Sequence, residues 1–255
     1  MNAAWRALLD EIGRSRDAGH EVEFWWRDDD AARPDPALER LLALAQASAV
    51  PLALAVIPAQ AEAAAFARPC AGVSILQHGS DHRNRAAAGE KKSEFAGAEP
   101  PAAAIARLAD ARHRLSAVLG GRALPVLAPP WNRIPANHVA PLAAAGFRGL
   151  SCYGPRRAAL AAPGLAQVNT HVDLIAWRAG RGFAGEEAVL AAAAGHLAAK
   201  REGRADAGEP TGWLSHHAVH DEPAWRFLEQ LFETMPAAPG LRWLGAQELF
   251  HISGR

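Results

Sequence analysis

The sequence is poor in sulfur and has no surplus of either charge. Cys70 and Cys152 are its two cysteines, too few for a disulfide framework and without C-x-x-C spacing, so both are expected as buried thiols. Lys and Arg total 27, as do Asp and Glu. A balanced chain lacks the basic surface that nucleic acid or an anionic membrane favours, so neither is expected as a partner. No uncharged apolar stretch is long enough to span a bilayer. Near the start, Trp5, Leu8, Leu9 and Ile12 fall at helical spacing, but Asp10, Glu11, Arg14, Arg16 and Asp17 interrupt any apolar core of a secretory signal. A soluble, cytoplasmic protein is expected.

What the chain does have is a series of short apolar runs. Hydrophobic residues make up 50% of 255 positions, enough to bury a large core and to exclude disorder. The pattern predicts a helix from Asn2 to Asp17, a strand over Glu21–Arg27 and a helix ending at Ser48. Val50–Ile57 is a continuous apolar run that suits a strand buried on both faces. Residues 60–67 read as helix, Val73–Gln77 as strand and 82–101 as a long polar loop. A long helix then carries Ile105, Leu108, Leu115 and Leu119, and strand Ala123–Ala128 follows. Beyond it come helix Asn137–Ala145 and strands Phe147–Cys152 and Leu165–Trp177. Helix Glu186–Arg201, strand Thr211–Ser215, helix Ala224–Thr234, strand Leu241–Leu244 and helix Gln247–Ile252 complete the chain. Strand and helix alternate about seven times, which predicts an α/β domain over 1–255 with a parallel sheet forming a closed or nearly closed barrel. The helix within 1–19 is expected to pack on that barrel.

Chemistry gathers where the predicted strands end. Ile75-Leu76-Gln77 leads into His78-Gly79-Ser80-Asp81-His82; if the chain turned helical there, imidazoles four apart would share a face and could grip one metal ion. Phe24-Trp25-Trp26-Arg27 leads into Asp28-Asp29-Asp30. Carboxylates and imidazoles at the ends of separate strands are what a hydrolytic metal site requires. Trp131–Arg133 and His216 fall at further strand ends. His171 lines the site or is a core histidine, and His217 and His220 read as structural or rim residues. Lys91-Lys92 form an exposed turn or part of a lid over the substrate.

In this combination the chain resembles the polysaccharide deacetylase superfamily, the NodB homology fold, whose five motifs occur here in order over about residues 21–217. The first, TFDDG, resembles Arg27-Asp28-Asp29-Asp30-Ala31; aligning Ala31 with the family glycine makes Asp29 the base and Asp30 a metal ligand, and the other register makes them Asp28 and Asp29. The second, H-[ST]-x-x-H, matches His78 and His82 but has Gly79 at its second position, with the serine displaced to Ser80. The third, R-P-P-x-G, matches Pro129-Pro130 but has Ala128 for the arginine, which leaves Arg133 and Arg27 as the candidates for that charge. Asp173 with Trp177 resembles the fourth, and Leu214-Ser215-His216 the fifth.

The resemblance implies a deformed (β/α)7-type barrel that holds a divalent metal ion through Asp30, His78 and His82. Zinc is the first expectation, with cobalt, iron, nickel or manganese as alternatives. It implies Asp29 as base, His216 as the acid for the leaving amine, Asp173 or Arg133 tuning the base, and Trp131 and Asn132 against the substrate. The implied reaction removes an acyl group, foremost acetyl, from a small-molecule or oligosaccharide substrate such as an N-acylated sugar. Two other classes stand beside it: a relative that binds carbohydrate without turnover, and a hydrolase acting on a phosphoester or cyclic amide.

Overall fold

A computed structural model describes residues 2–67, 71–120 and 122–252; Cys70 lies outside the described residues. Helix α1 (Ala3–Asp17) opens the chain, with Asn2 accepting hydrogen bonds from the Ala4 and Trp5 N–H groups. Strand β1 (Val22–Ala31) and helix α2 (Pro36–Ser48) follow, then β2 (Leu52–Val56) and β3 (Val73–His78). Next come α3 (Pro101–Leu119), β4 (Ala123–Ala128), α4 (Ala136–Ala144) and β5 (Gly149–Leu150). Short strands β6 (Leu160–Ala162), β7 (Leu165–Gln167) and β8 (Val172–Asp173) lead to α5 (Glu186–Arg201). Strand β9 (Thr211–Ser215), helix α6 (Glu222–Thr234), strand β10 (Leu241–Trp243) and helix α7 (Ala246–Leu249) finish the domain.

The sheet runs β6-β7-β5-β4-β3-β2-β1-β9-β8, with β10 also paired to β1. Among the described residues only β6 and β7 pair as antiparallel strands. The fold is a single α/β domain of the deformed barrel type, and its hydrogen-bonded ladder does not close. One extended segment, residues 165–173, pairs with β5 at its start and with β9 at its end, and Tyr153 bridges to Thr170 between them. The single strand expected over Leu165–Trp177 is therefore split, because it changes partner part way along.

Period-two alternation sorts the core. Phe24 and Trp26 of β1, with Leu52, Leu54 and Val56 of β2, face outward into one cluster with residues of α1, α2, α5 and α6. There Trp5 stacks on Phe227 at 5.8 Å, so the N-terminal helix lies against the outer layer. Trp25 points the other way, among Ala53, Ala55, Leu76 and Val126. Its Nε1 donates to the Asn169 carbonyl at 3.1 Å. A Cβ on Gly212 would sit 2.4 Å from that nitrogen, so glycine and alanine are what make room for the indole.

Two further expected elements differ. Residues 60–67 form no α-helix; two 3₁₀ turns, Pro58–Gln60 and Ala63–Phe66, occupy the stretch. The N–H groups of Ala59 and Glu62 are drawn instead to the carbonyls of Ser80 and Ala32. Strand β1 also runs through the three aspartates rather than ending before them. The parallel register then sets Asp28 beside Ser215 and His78 beside Ala128, which brings the polar strand ends together.

Candidate metal centre

The three aspartates of β1 part company. Alternation turns Asp28 outward, where it is fully buried. It accepts from Ser215 Oγ at 2.6 Å and from the His217 N–H at 3.0 Å, and it pairs with His217 Nδ1 at 2.5 Å. Burial works against charge on both partners, but each charge outweighs it for the other, so Asp28 is lowered and His217 raised. Strict alternation would send Asp29 and Asp30 to opposite faces. The ladder to β2 shifts register between Asp28 and Ala31, and Asp30 takes a φ of 72°. This bulge turns Asp30 back, so two successive carboxylates reach one site. Asp29 and Asp30, not Asp28 and Asp29, face His78, His82 and His216.

Asp30 Oδ1 lies 3.2 Å from His78 Nε2 and 3.2 Å from His82 Nε2. The expected helical turn is absent. His78 ends β3, and Gly79 (φ 62°) and His82 (φ 57°) make a left-handed turn that folds the second ring back to 5.1 Å from the first. Desolvation opposes ionisation of Asp30, but the two imidazoles set against its Oδ1 outweigh it and hold its carboxyl far below the usual range. Burial likewise opposes charge on His78, and Asp29 and Asp30 outweigh it and raise its pKa.

A metal ion fits these residues. His78 Nδ1 lies 2.9 Å from the Ala128 carbonyl; donation there leaves the Nε2 lone pair facing Asp30, the tautomer a metal ligand needs. Zinc bonds of 2.0–2.2 Å imply ligand atoms about 3.3 Å apart in a tetrahedron, close to the two 3.2 Å spacings here. Asp30 Oδ1 is buried without a well-formed hydrogen bond. The His82 and Asp30 side chains keep 22% and 31% of their exposure while His78 is closed off, so one side stays open to solvent.

Beside this trio, Arg27 grips Asp29: Nε lies 2.9 Å from Oδ1 and Nη2 donates to Oδ2 at 3.0 Å, with both residues buried. Arg27 also donates to Ser151 Oγ at 2.7 Å and to Asn132 Oδ1 at 2.5 Å. Arg133 does not take this part; it is exposed and donates to the Lys92 carbonyl at 2.7 Å. The guanidinium comes from β1 because residues two apart on a strand share a face. Asn132 is occupied by Arg27. Trp131 sits 4.4 Å from the His82 ring. His216 Nε2 is 4.0 Å from Asp29 Oδ2, and its ring meets Trp177 edge-on at 4.7 Å. Trp177 Nε1 donates to Asp173 Oδ2 at 2.8 Å, and burial raises the Asp173 carboxyl against the pull of His216.

The loop after β3 is tied down rather than lid-like at its centre. Glu94, fully buried, accepts from the backbone of Ser80 and His82. Nothing in the polar run around it marks it in the sequence. The His217–Asp28 pair was equally hidden, since the bulge that separates the aspartates leaves no compositional trace. Cys152 is half-buried, and burial pushes its thiol up to about 11.

A second His/His/carboxylate group, His171, His196 and Glu209, lies at the opposite ends of the strands. It does not suit a metal. The two rings stack at 3.5 Å and 18°, so no ion near both Nε2 atoms lies in both ring planes. His171 Nδ1 accepts the Gly212 N–H at 3.0 Å, which leaves the proton on Nε2, 3.2 Å from Glu209.

No family model matches the chain, and no curated protein does. Solved structures do. A family 4 carbohydrate esterase from Streptomyces lividans in complex with acetate is 16% identical, with a TM-score of 0.55 over 87% of this chain and 90% of that one. A family 4 acetyl xylan esterase from Clostridium thermocellum, in complex with a cobalt ion, is 16% identical, with a TM-score of 0.52 over 90% and 91%. The chitin deacetylase from Colletotrichum lindemuthianum is 16% identical, with a TM-score of 0.54 over 90% and 88%. The fold of this chain is that of the polysaccharide deacetylases and family 4 carbohydrate esterases.

Proposed function

We propose that this protein is a metal-dependent deacylase that releases a small acid, foremost acetate, from an N-acylated sugar or a related small molecule. The observation that carries this reading is the convergence, at one end of the sheet, of Asp30, His78 and His82 with the Asp29–His216 pair.

Asp30 Oδ1, His78 Nε2 and His82 Nε2 would hold a divalent cation, which when bound polarises the acyl carbonyl and activates water. Asp29 takes the proton from the attacking water, and Arg27 keeps its carboxylate aimed. His216 gives a proton to the departing amine. Asp173, oriented by the Trp177 indole N–H, lies within electrostatic reach of His216. Trp131 and Trp177 flank the opening and suit the face of a sugar ring or the acyl methyl group.

A relative that binds without turnover would suit the missing arginine at position 128 and the altered second motif, but Arg27 supplies a guanidinium against Asp29. The direct test is release of acid from N-acetylated sugars by protein loaded with zinc or cobalt, run beside Asp29→Asn. Acid formed by wild type and not by the variant supports the reading. Binding of the same sugars with no acid released, whatever metal is added, overturns it.

A further inference from the structure

We infer that Glu94 is a positioning residue that sets the ligating geometry of His82 from outside the metal centre; this rests on the metal-site reading above. A histidine at φ 57° occupies backbone space that non-glycine residues enter at a cost, so the turn needs something to hold it. Glu94 does so with both carboxylate oxygens. Oε1 accepts from the Ser80 N–H at 2.8 Å and from Ser80 Oγ at 2.5 Å, while Oε2 accepts from the His82 N–H at 3.1 Å. The carboxylate is fully buried, and Arg107 closes its far side, with Nε 3.9 Å from Oε1 and Nη2 donating to the Glu94 carbonyl at 3.4 Å.

Gly79 is part of the same device. A Cβ there would fall 2.1 Å from Glu94 Oε2 and 2.6 Å from Pro130 Cδ. The glycine at this motif position is therefore the gap through which the carboxylate reaches the turn, and Glu94 occupies the space a serine or threonine would fill. The middle of the loop after β3 is accordingly a strap that preforms the ligand set. In the unstrapped turn, His82 would sample other backbone conformations, and each binding event would have to select one.

The test is zinc and cobalt titration of the full-length chain, wild type against Glu94→Gln, Glu94→Asp and His82→Ala, with folding checked by circular dichroism and thermal unfolding. Folded Glu94→Gln should bind zinc about 10- to 100-fold more weakly, and its cobalt absorption spectrum should move toward that of His82→Ala. Glu94→Asp, which keeps the charge but cannot span Ser80 and His82 together, should fall between and serves if the amide variant does not fold. Zinc affinity within twofold of wild type and an unchanged cobalt spectrum in either folded variant would overturn the inference while leaving the metal site standing. Failure of wild type to bind either ion would instead remove the metal reading, and this inference with it.

Discussion

The domain carries two groups of the same composition, two histidines and a carboxylate, at opposite ends of its strands. At one end His78 and His82 converge on Asp30 with their Nε2 atoms free to ligate. At the other, His171 and His196 lie flat against each other, and Glu209 is engaged by the N–H groups of Arg156 and Asn169. The difference is angular rather than chemical. A lone pair lies in the plane of its ring, so convergent rings make a site and stacked rings make packing.

The sharpest way to break this contrast is to count metal. His78→Ala should lose the equivalent of zinc or cobalt bound by wild type, while His196→Ala should keep it; elemental analysis after dialysis decides, and metal lost only with His196 would reverse the assignment. Next in size is catalysis. Asp29→Asn should cost about 10²- to 10⁴-fold in kcat with metal retained, whereas His171→Asn, if folded, should change kcat by less than about threefold, the size of a remote substitution.

Arg27→Gln leaves Asp29 buried without its partner. Breaking such a pair should destabilise the fold by about 3 kcal/mol, read as a fall in Tm of roughly 6–12 °C in a chain of this size. An unchanged Tm would show that the pair contributes nothing net.

Acid sensitivity should separate the two ends more gently. Burial, with the neighbouring His171 ring and the Lys200 ammonium, lowers His196 to about 2. Its folded pKa is thus below the unfolded value, so the stability it contributes is present above about pH 6.5 and is lost as pH falls, by up to about 1.4 kcal/mol per pH unit. In metal-free protein, His196→Asn should flatten the decline in urea stability between pH 6.5 and 4.5. The smallest effect expected is Trp177→Phe, which removes the hydrogen bond to Asp173 and should lower kcat by less than about tenfold.

Much of this was legible beforehand where local signals agreed. Ala123–Ala128, Glu186–Arg201 and Thr211–Ser215 have the bounds their apolar runs and end signals predict. His78, His82 and His216 stood at strand ends, where parallel α/β folds place their chemistry. What stayed hidden depends on contacts between distant residues. Period two cannot say which of three consecutive aspartates turns back, because the answer lies in a bulge set by pairing with β2. The split of residues 165–173 follows from a change of neighbours, and Glu94 matters only through a turn twelve residues away.

Arg27 has one more consequence. In the third motif of the family this chain resembles, an arginine stands where this chain has Ala128, at the end of β4. Here acid and cation are next-but-one neighbours on β1. Their alignment is inherited from a single stretch of backbone, and the loop after β4 is released from delivering a charge. What the loop still supplies is the Asn132 Oδ1 that accepts from the same Arg27 nitrogen as Asp29, so its charge is free to vary while the backbone that carries Asn132 is not.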